Sequence, residues 1–263
     1  MDLGLRDQVV VVAAASQGLG AAVALEFARE GAAVVICSRD AARLAARAEA
    51  IRKETGARVL PVVADVTKGS DVEHLVEETV RVHGRLDVLV TNAGGPPPGK
   101  FLELAPEHFE SAFQLTLMSA VRLCYAAAPT MVAEGSGSIV TITSLSVKQP
   151  LENLILSNTL RLGVIGLTKT LANELGPKGI RVNSVLPGWT RTSRVEELLA
   201  EQAMSNGTSV AEEAERIAGT FPLRRMAAPS EVAKAVVFVG SPAASYVHGV
   251  ALQVDGGAVQ SAL

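Results

Sequence analysis

The sequence predicts an α/β fold, one doubly wound domain around a seven-stranded parallel sheet, and three observations carry that expectation. Apolar runs rich in β-branched residues alternate along the chain with longer segments of helical period. The runs are near-continuous hydrophobics, the pattern of strands covered on both faces. The first run empties into a glycine turn followed at once by an amphipathic helix, the opening unit of a doubly wound sheet.

Taken in order, strands are expected at Val9 to Ala14, Ala33 to Ser38, Arg58 to Ala64, Leu86 to Thr91, Ser138 to Thr143, Arg181 to Leu186 and Val250 to Val254. Helices are expected between them, at Leu19 to Glu30, Ala41 to Thr55, Ser70 to His83, Pro106 to Ala133, Leu151 to Leu175 and Ser230 to Val239. Right-handed crossovers follow by rule. The pairs Glu30-Gly31, Thr55-Gly56, His83-Gly84 and Lys178-Gly179 sit between helix and strand, where a left-handed cap is wanted. Asp40, just before Ala41-Ala42-Arg43, reads as the N-cap of the second helix. No repeat or low-complexity linker divides residues 1–263, so a single domain is expected. The charged, helix-forming stretch Thr190 to Phe221 has no strand partner and is a candidate substrate lid.

Composition excludes several classes. The 263 residues are 48% hydrophobic and 19% charged, which is ordinary for a globular chain. The 24 Lys plus Arg against 27 Asp plus Glu leave a net charge of −3, so phosphate neutralisation and nucleic-acid binding are not expected. Cys37 and Cys124 form no Cys-x-x-Cys and read as small buried residues rather than redox or zinc ligands. Residues Met1 to Asp7 have the wrong charge for a signal peptide, so a cytoplasmic protein is expected. The uncharged runs Gln8 to Leu25 and Ala235 to Val254 are broken by polar residues, Gly and Pro, so no membrane span is expected.

The cofactor end is read first. Ala13-Ala14-Ala15-Ser16-Gln17-Gly18-Leu19-Gly20 joins the first strand to its helix and presents backbone amides and a helix N-terminus, a site suited to pyrophosphate. Eighteen residues beyond Gly20 the second strand ends in Ser38-Arg39, where an NAD site usually places an acid and an NADP site an Arg, so NADP is favoured. A plain solvated charge is the alternative for Arg39.

At this point the chain resembles the short-chain dehydrogenase/reductases, particularly those similar to β-ketoacyl-carrier-protein reductases. The likeness covers nearly the whole sequence, through Gly18-Leu19-Gly20, Asp65-Val66, Asn92-Ala93-Gly94-Gly95, Gly179-Ile180-Arg181-Val182-Asn183, Pro187-Gly188-Trp189-Thr190 and Val254-Asp255-Gly256-Gly257. The resemblance implies that Asp65 and Val66 flank an adenine, that Asn92, Ala93 and Gly94 line the cofactor, and that Pro187, Gly188 and Thr190 approach the nicotinamide amide. It also implies a homodimer or homotetramer built through the two long helices. One departure is in the first turn, which in the family reads Thr-Gly and here reads Ala13-Ala14. If positive φ is needed there, Ala14 costs on the order of 1 kcal/mol.

The family's chemistry uses a Ser, a Tyr, a Lys placed shortly beyond that Tyr on the same helix, and a helix Asn. Ser144, after the fifth strand, fits the Ser and could hydrogen-bond a carbonyl; its alternative is to cap a turn. Alignment through Val164-Ile165-Gly166-Leu167-Thr168-Lys169 places the Tyr on Ser157 and the Lys on Arg161, and alignment around Phe109 and Leu117 places the Asn on Thr116. Tyr-x-x-x-Lys occurs nowhere, because Tyr125 is followed by Pro129 and Tyr246 by Val250 at that spacing.

The replacements matter physically. A phenol of pKa near 10 can be tuned toward neutrality by an adjacent cation, and a serine hydroxyl cannot be tuned that far. The Ser157 oxygen stops roughly 4 Å short of a phenolic oxygen, about the room of one water. Arg161 keeps charge and donors for ribose hydroxyls yet stays protonated. An ordinary helix surface is the alternative for both. His74, His83, His108 and His248 form no general-base or metal-ligand pattern, so no metal is expected.

Two functions stay open on the sequence. One is NADP(H)-dependent carbonyl reduction or secondary alcohol oxidation of a small molecule, with Ser144 polarising the oxygen and water, held by Ser157 and Arg161, delivering the proton. The other is a cofactor-binding, non-catalytic protein or partner subunit.

Overall fold

The computed structural model describes residues 2–261. Its strands are β1 (Val9–Val12), β2 (Ala33–Ser38), β3 (Val59–Val63), β4 (Val88–Thr91), β5 (Gly137–Ile142), β6 (Ile180–Pro187) and β7 (Ala251–Val254). They form one parallel sheet in the order β3-β2-β1-β4-β5-β6-β7, so the order reverses between β1 and β4. Ligands of such sheets bind at that switch point, outside the carboxyl ends of the strands.

The helices are α1 (Gly18–Arg29), α2 (Ala41–Thr55), α3 (Gly69–His83), α4 (Pro106–Phe113), α5 (Ser119–Glu134), α6 (Ile155–Leu175), α7 (Ser193–Asn206), α8 (Val210–Ala218) and α9 (Pro229–Gly240). Two side-chain layers hold them to the sheet. On one face Val10, Val12, Val34 and Ile36 pack with Phe27 of α1, Leu44 of α2 and Val236 of α9. On the other Val9, Val11, Val35 and Cys37 pack with Leu75 of α3, Leu123 and Cys124 of α5 and Ala172 of α6. Successive strand residues alternate between the layers, which is why the strands read as unbroken apolar runs. Each fully buried Val or Leu stabilises by roughly 1.5–3 kcal/mol. Both cysteines are free and buried, as expected.

The caps agree with the sequence. Asp40 accepts the Arg43 N–H at 2.9 Å, and Gly31, Gly56, Gly84 and Gly179 all have positive φ. Three expectations need correction. β1 stops at Val12 rather than Ala14, because Ala14 turns into the left-handed region at φ 49°. The helix expected at Pro106 to Ala133 is interrupted by a π-helical turn at Gln114–Met118 and runs on to Glu134. The helix expected from Leu151 begins at Ile155, because Asn153 has φ 58° and its carbonyl accepts the Gly99 N–H at 2.7 Å.

The segment expected to lack a strand partner is pinned where it begins. Thr190 bridges Ala227 in parallel register, and the Arg191 N–H donates to the Ala227 carbonyl. Beyond that bridge α7 and α8 close over a small core of Leu199, Ala214, Ile217, Phe221 and Met226. The helical run Pro106–Glu134 is long and apolar enough to cross a membrane by length and composition, and here its Leu123, Cys124, Ala127 and Met131 are buried in the second core layer.

Candidate active and cofactor site

The carboxyl ends of β1 to β6 surround one cavity of about 710 Å³. Of the residues expected from the sequence, it brings together Ala14, Ser16, Gln17, Gly18, Leu19, Ser38, Arg39, Asp65, Val66, Asn92, Ala93, Gly94, Ser144, Ser157, Arg161, Pro187, Gly188 and Thr190. Gly20 and Thr116 are the exceptions, and each is absent from the wall for a physical reason. Gly20 lies behind the turn, where a Cβ would come 2.4 Å from the Ala14 carbonyl oxygen. Thr116 sits inside the π-helical turn, buried, with no hydrogen-bond partner for its hydroxyl among the described residues.

The turn after β1 is built by backbone. Ala14 and Gly18 both take positive φ, 49° and 61°. The Asn92 side chain donates from Nδ2 to the Ala13 carbonyl at 3.3 Å, tying the end of β4 to the turn. Arg39 is exposed at the end of β2. Asp40, beside it, is engaged by Arg43 through Nε at 2.5 Å, while Arg43 Nη1 donates to Gln17 Oε1 at 3.1 Å. The backbone and side-chain hydrogen bonds from Arg43 hold the Asp40 carboxyl below its usual range. Burial opposes ionisation of Asp65, yet the Thr67 N–H and hydroxyl and the charges of Arg39 and Lys68 outweigh it and hold this carboxyl low as well.

The other end of the cavity is built by side chains. Ser144 Oγ accepts the Ser146 N–H at 3.1 Å, so it does cap a turn, and it lines the cavity at the same time. Ser157 is buried and Arg161 half-buried on the cavity wall, so neither is an outer helix surface. Arg161 Nε donates to Ser157 Oγ at 3.1 Å, and Nη1 donates to the Thr143 carbonyl at 2.9 Å. Arg161 forms no ion pair with a carboxylate among the described residues. Burial pulls its guanidinium down to about 10, which leaves it charged at neutral pH. Both serine oxygens therefore receive an N–H, leaving their O–H groups to donate, and Arg161 Nη2 is a further donor without a partner among the described residues. The corner is rich in donors and cationic, matched to an acceptor oxygen.

Sequence reasoning missed three kinds of wall. Leu151, Leu154, Val195 and Leu198 add apolar surface, and Asn158 holds the Leu151 backbone by two hydrogen bonds. Arg194 reaches from α7 to the Pro96 carbonyl at 2.9 Å. Trp189 adds an aromatic face to the wall. His248 serves the fold, with Nδ1 accepting the Val182 N–H at 3.2 Å.

The family profile described as "Enoyl-(Acyl carrier protein) reductase" matches residues 13–259. The chain belongs to the short-chain dehydrogenase/reductase family. It is 34% identical over 256 residues to "Dehydrogenase/reductase SDR family member 4" of Bos taurus, covering 97% of this chain and 88% of that one. It is 32% identical over 258 residues to "3-oxoacyl-[acyl-carrier-protein] reductase FabG" of Thermotoga maritima, covering 97% and 99%. Among solved structures, L-sorbose reductase from Gluconobacter frateurii, complexed with NADPH and L-sorbose, superposes with a TM-score of 0.95 at 34% identity, covering 99% and 100%. An actinorhodin polyketide ketoreductase variant with NADPH gives a TM-score of 0.93 at 32% identity, covering 97% and 98%. The sequence contains no Tyr-x-x-x-Lys, since Tyr125 is followed at that spacing by Pro129 and Tyr246 by Val250.

Proposed function

We propose that this short-chain dehydrogenase/reductase is an NADP(H)-dependent enzyme that reduces a small-molecule carbonyl or oxidises the matching secondary alcohol. The observation that carries the reading is the corner of Ser144, Ser157 and Arg161, whose uncommitted hydrogens suit a carbonyl oxygen gaining negative charge. Ser144 polarises the oxygen. Ser157 and Arg161 hold the water that replaces the missing phenol and hands over the proton.

The cradle fits a dinucleotide. Gly18, Leu19 and the close-packed Gly20 would hold the pyrophosphate beside Ala14, Ser16 and Gln17. Asp65 and Val66 would flank the adenine, and Asn92, Ala93 and Gly94 would line the cofactor. Pro187, Gly188 and Thr190 would meet the nicotinamide amide, and Arg161 the ribose hydroxyls. Bound there, the nicotinamide supplies the hydride. Arg39 with Ser38 favours the 2′-phosphate of NADP, since the neighbouring acid Asp40 is engaged with Arg43. The NADPH complexes among the structural neighbours support the same choice. The segment 190–221 acts as the lid over the substrate. Exposed Tyr125 and Val132 on α5 and Leu162 on α6 support a homo-oligomer formed through those helices.

The test is NADPH consumption, and NADP reduction in the reverse direction, over a broad panel of carbonyls and alcohols. Turnover of at least one substrate class is expected. Tight cofactor binding with no turnover anywhere would replace this reading with that of a non-catalytic cofactor-binding subunit.

A further inference from the structure

The charges along the cavity are unevenly placed. Its two lining acids, Asp40 and Asp65, lie at the ends of β2 and β3. Asp40 is engaged by Arg43 and Asp65 by Thr67. Around Ser144 and Ser157 the lining charges are Arg161 and Arg194 alone, with no acid among the described lining residues there. The same end is walled by apolar side chains, Leu145, Leu151 and Leu154 from the segment before α6 and Trp189, Val195 and Leu198 from the entry to α7.

Most of Arg161 is committed, through Nε to Ser157 and through Nη1 to the carbonyls ending β5. Arg194 is held differently. Nη2 donates to the Pro96 carbonyl at 2.9 Å, and Nε lies 3.3 Å from where a Cβ on Gly95 would stand, so the side chain crosses from α7 to the loop after β4. Its counter-charge is Glu197 at 3.6 Å, in a pair whose side chains are 34% and 62% exposed. Exposed pairs of this kind contribute little and exchange easily. A carboxylate entering between the apolar walls would meet the same guanidinium with less water around it, where charge-assisted hydrogen bonds are stronger.

We infer that Arg194 makes the substrate end selective for carbonyl compounds that carry a carboxylate on an apolar carbon chain. The inference rests on the reading of the cavity as an oxidoreductase site, and it concerns which compounds that site accepts. Leu151, Leu154, Val195 and Leu198 take the chain, the Ser144 hydroxyl takes the carbonyl oxygen, and Arg194 takes the anion.

Trp189 lines the cavity and is the single tryptophan of the chain, so its fluorescence reports binding without requiring turnover. The probes are octanoate, 1-octanol and octylamine, titrated into the NADP-saturated protein. Octanoate is expected to bind at least about tenfold tighter than 1-octanol, the scale of one charge-assisted contact, and octylamine weakest of the three. Raising the salt from 0.1 M to 1 M should weaken octanoate and leave 1-octanol unchanged. Arg194→Gln should erase the octanoate preference while 1-octanol still binds, and Arg194→Lys should restore part of it. Glu197→Gln, which removes the competing carboxylate and keeps Arg194, should bind octanoate as tightly as the parent or tighter. Equal octanoate and octanol affinities in the parent, an octanoate preference that survives Arg194→Gln, or weaker octanoate binding in Glu197→Gln would each overturn the inference. The readout separates it from the reading it rests on. Neutral ketones turned over without an octanoate preference would sink the inference alone, whereas an octanoate preference with no turnover across the panel would sink the enzyme reading and leave Arg194 as an anion-binding residue.

Discussion

The turn after β1 and the first turns of α6 line the same cavity, and they depend on side-chain identity to different degrees. The turn is made by backbone: positive φ at Ala14 and Gly18 and the contact of Gly20 with the Ala14 carbonyl shape it. Ala14 holds a left-handed position of the turn without being glycine, because an alanine can enter that region at modest cost. The first turns of α6 meet the cavity through the side chains of Ser157 and Arg161, and under the proposed function a change at either alters which groups serve the proton while the helix stays in place. A backbone-built site tolerates change by strain, whereas a side-chain-built site changes its chemistry.

The sharpest way to break the comparison at the cofactor end is Gly20→Ala. The added methyl meets backbone 2.4 Å away, which cannot swing aside, so a loss of up to about 3 kcal/mol is expected in stability or cofactor affinity, by thermal melting and calorimetry. A variant indistinguishable from the parent would show the turn to be softer than its geometry implies. Arg39→Ala comes next. The parent should bind NADP(H) several-fold tighter than NAD(H), and the variant should bind both alike in calorimetry, a change of about 1 kcal/mol for an exposed charge pair. Equal affinities in the parent would remove the NADP assignment.

Ala14→Gly should tighten cofactor binding or raise the melting temperature by no more than about 1 kcal/mol, since relief of positive φ is partly offset by the entropy glycine adds to the unfolded chain. Weaker binding would mean that the loop has adapted to the methyl group.

The smallest effect is expected in α8. Glu213 is buried and held down to about 2 by Asn206, Arg216 and Thr208. Because its pKa is depressed in the folded state, its stabilisation is complete above the unfolded value of about 4.3 and is lost as pH falls toward 2. Proteolysis between α7 and α8 should therefore rise over that range in the parent. Glu213→Gln should be cleaved faster than the parent at neutral pH and change less with pH; an identical acid response in both proteins would remove Glu213 from the account.

The sheet was legible because its strands are buried on both faces and so appear as unbroken apolar runs such as Val9 to Val12. Gly56, Gly84 and Asp40 marked helix ends through local chemistry alone. The π-helical turn at Gln114–Met118 was not legible, since an extra residue in one turn leaves the apolar spacing nearly unchanged. Tertiary contacts were hidden for a different reason: Arg194 and Pro96 are 98 residues apart, and no local pattern ties the loop after β4 to α7. The dual role of Ser144, turn cap and cavity donor, also needed the structure, because sequence presents those as alternatives.

The central claim is that this site works through Ser144 with a water in place of the phenol, and NADPH consumption by four proteins tests it most directly. Against the best substrate of the panel, Ser144→Ala should lower kcat/KM by roughly 10² or more, as removal of an oxyanion donor does, and Ser157→Ala should cost less. The double variant Ser157→Tyr with Arg161→Lys rebuilds the family's donor and cation and should exceed the parent, with a pH dependence the parent lacks. Parent activity indifferent to Ser144, or a double variant that binds NADPH and turns over nothing, would contradict the account.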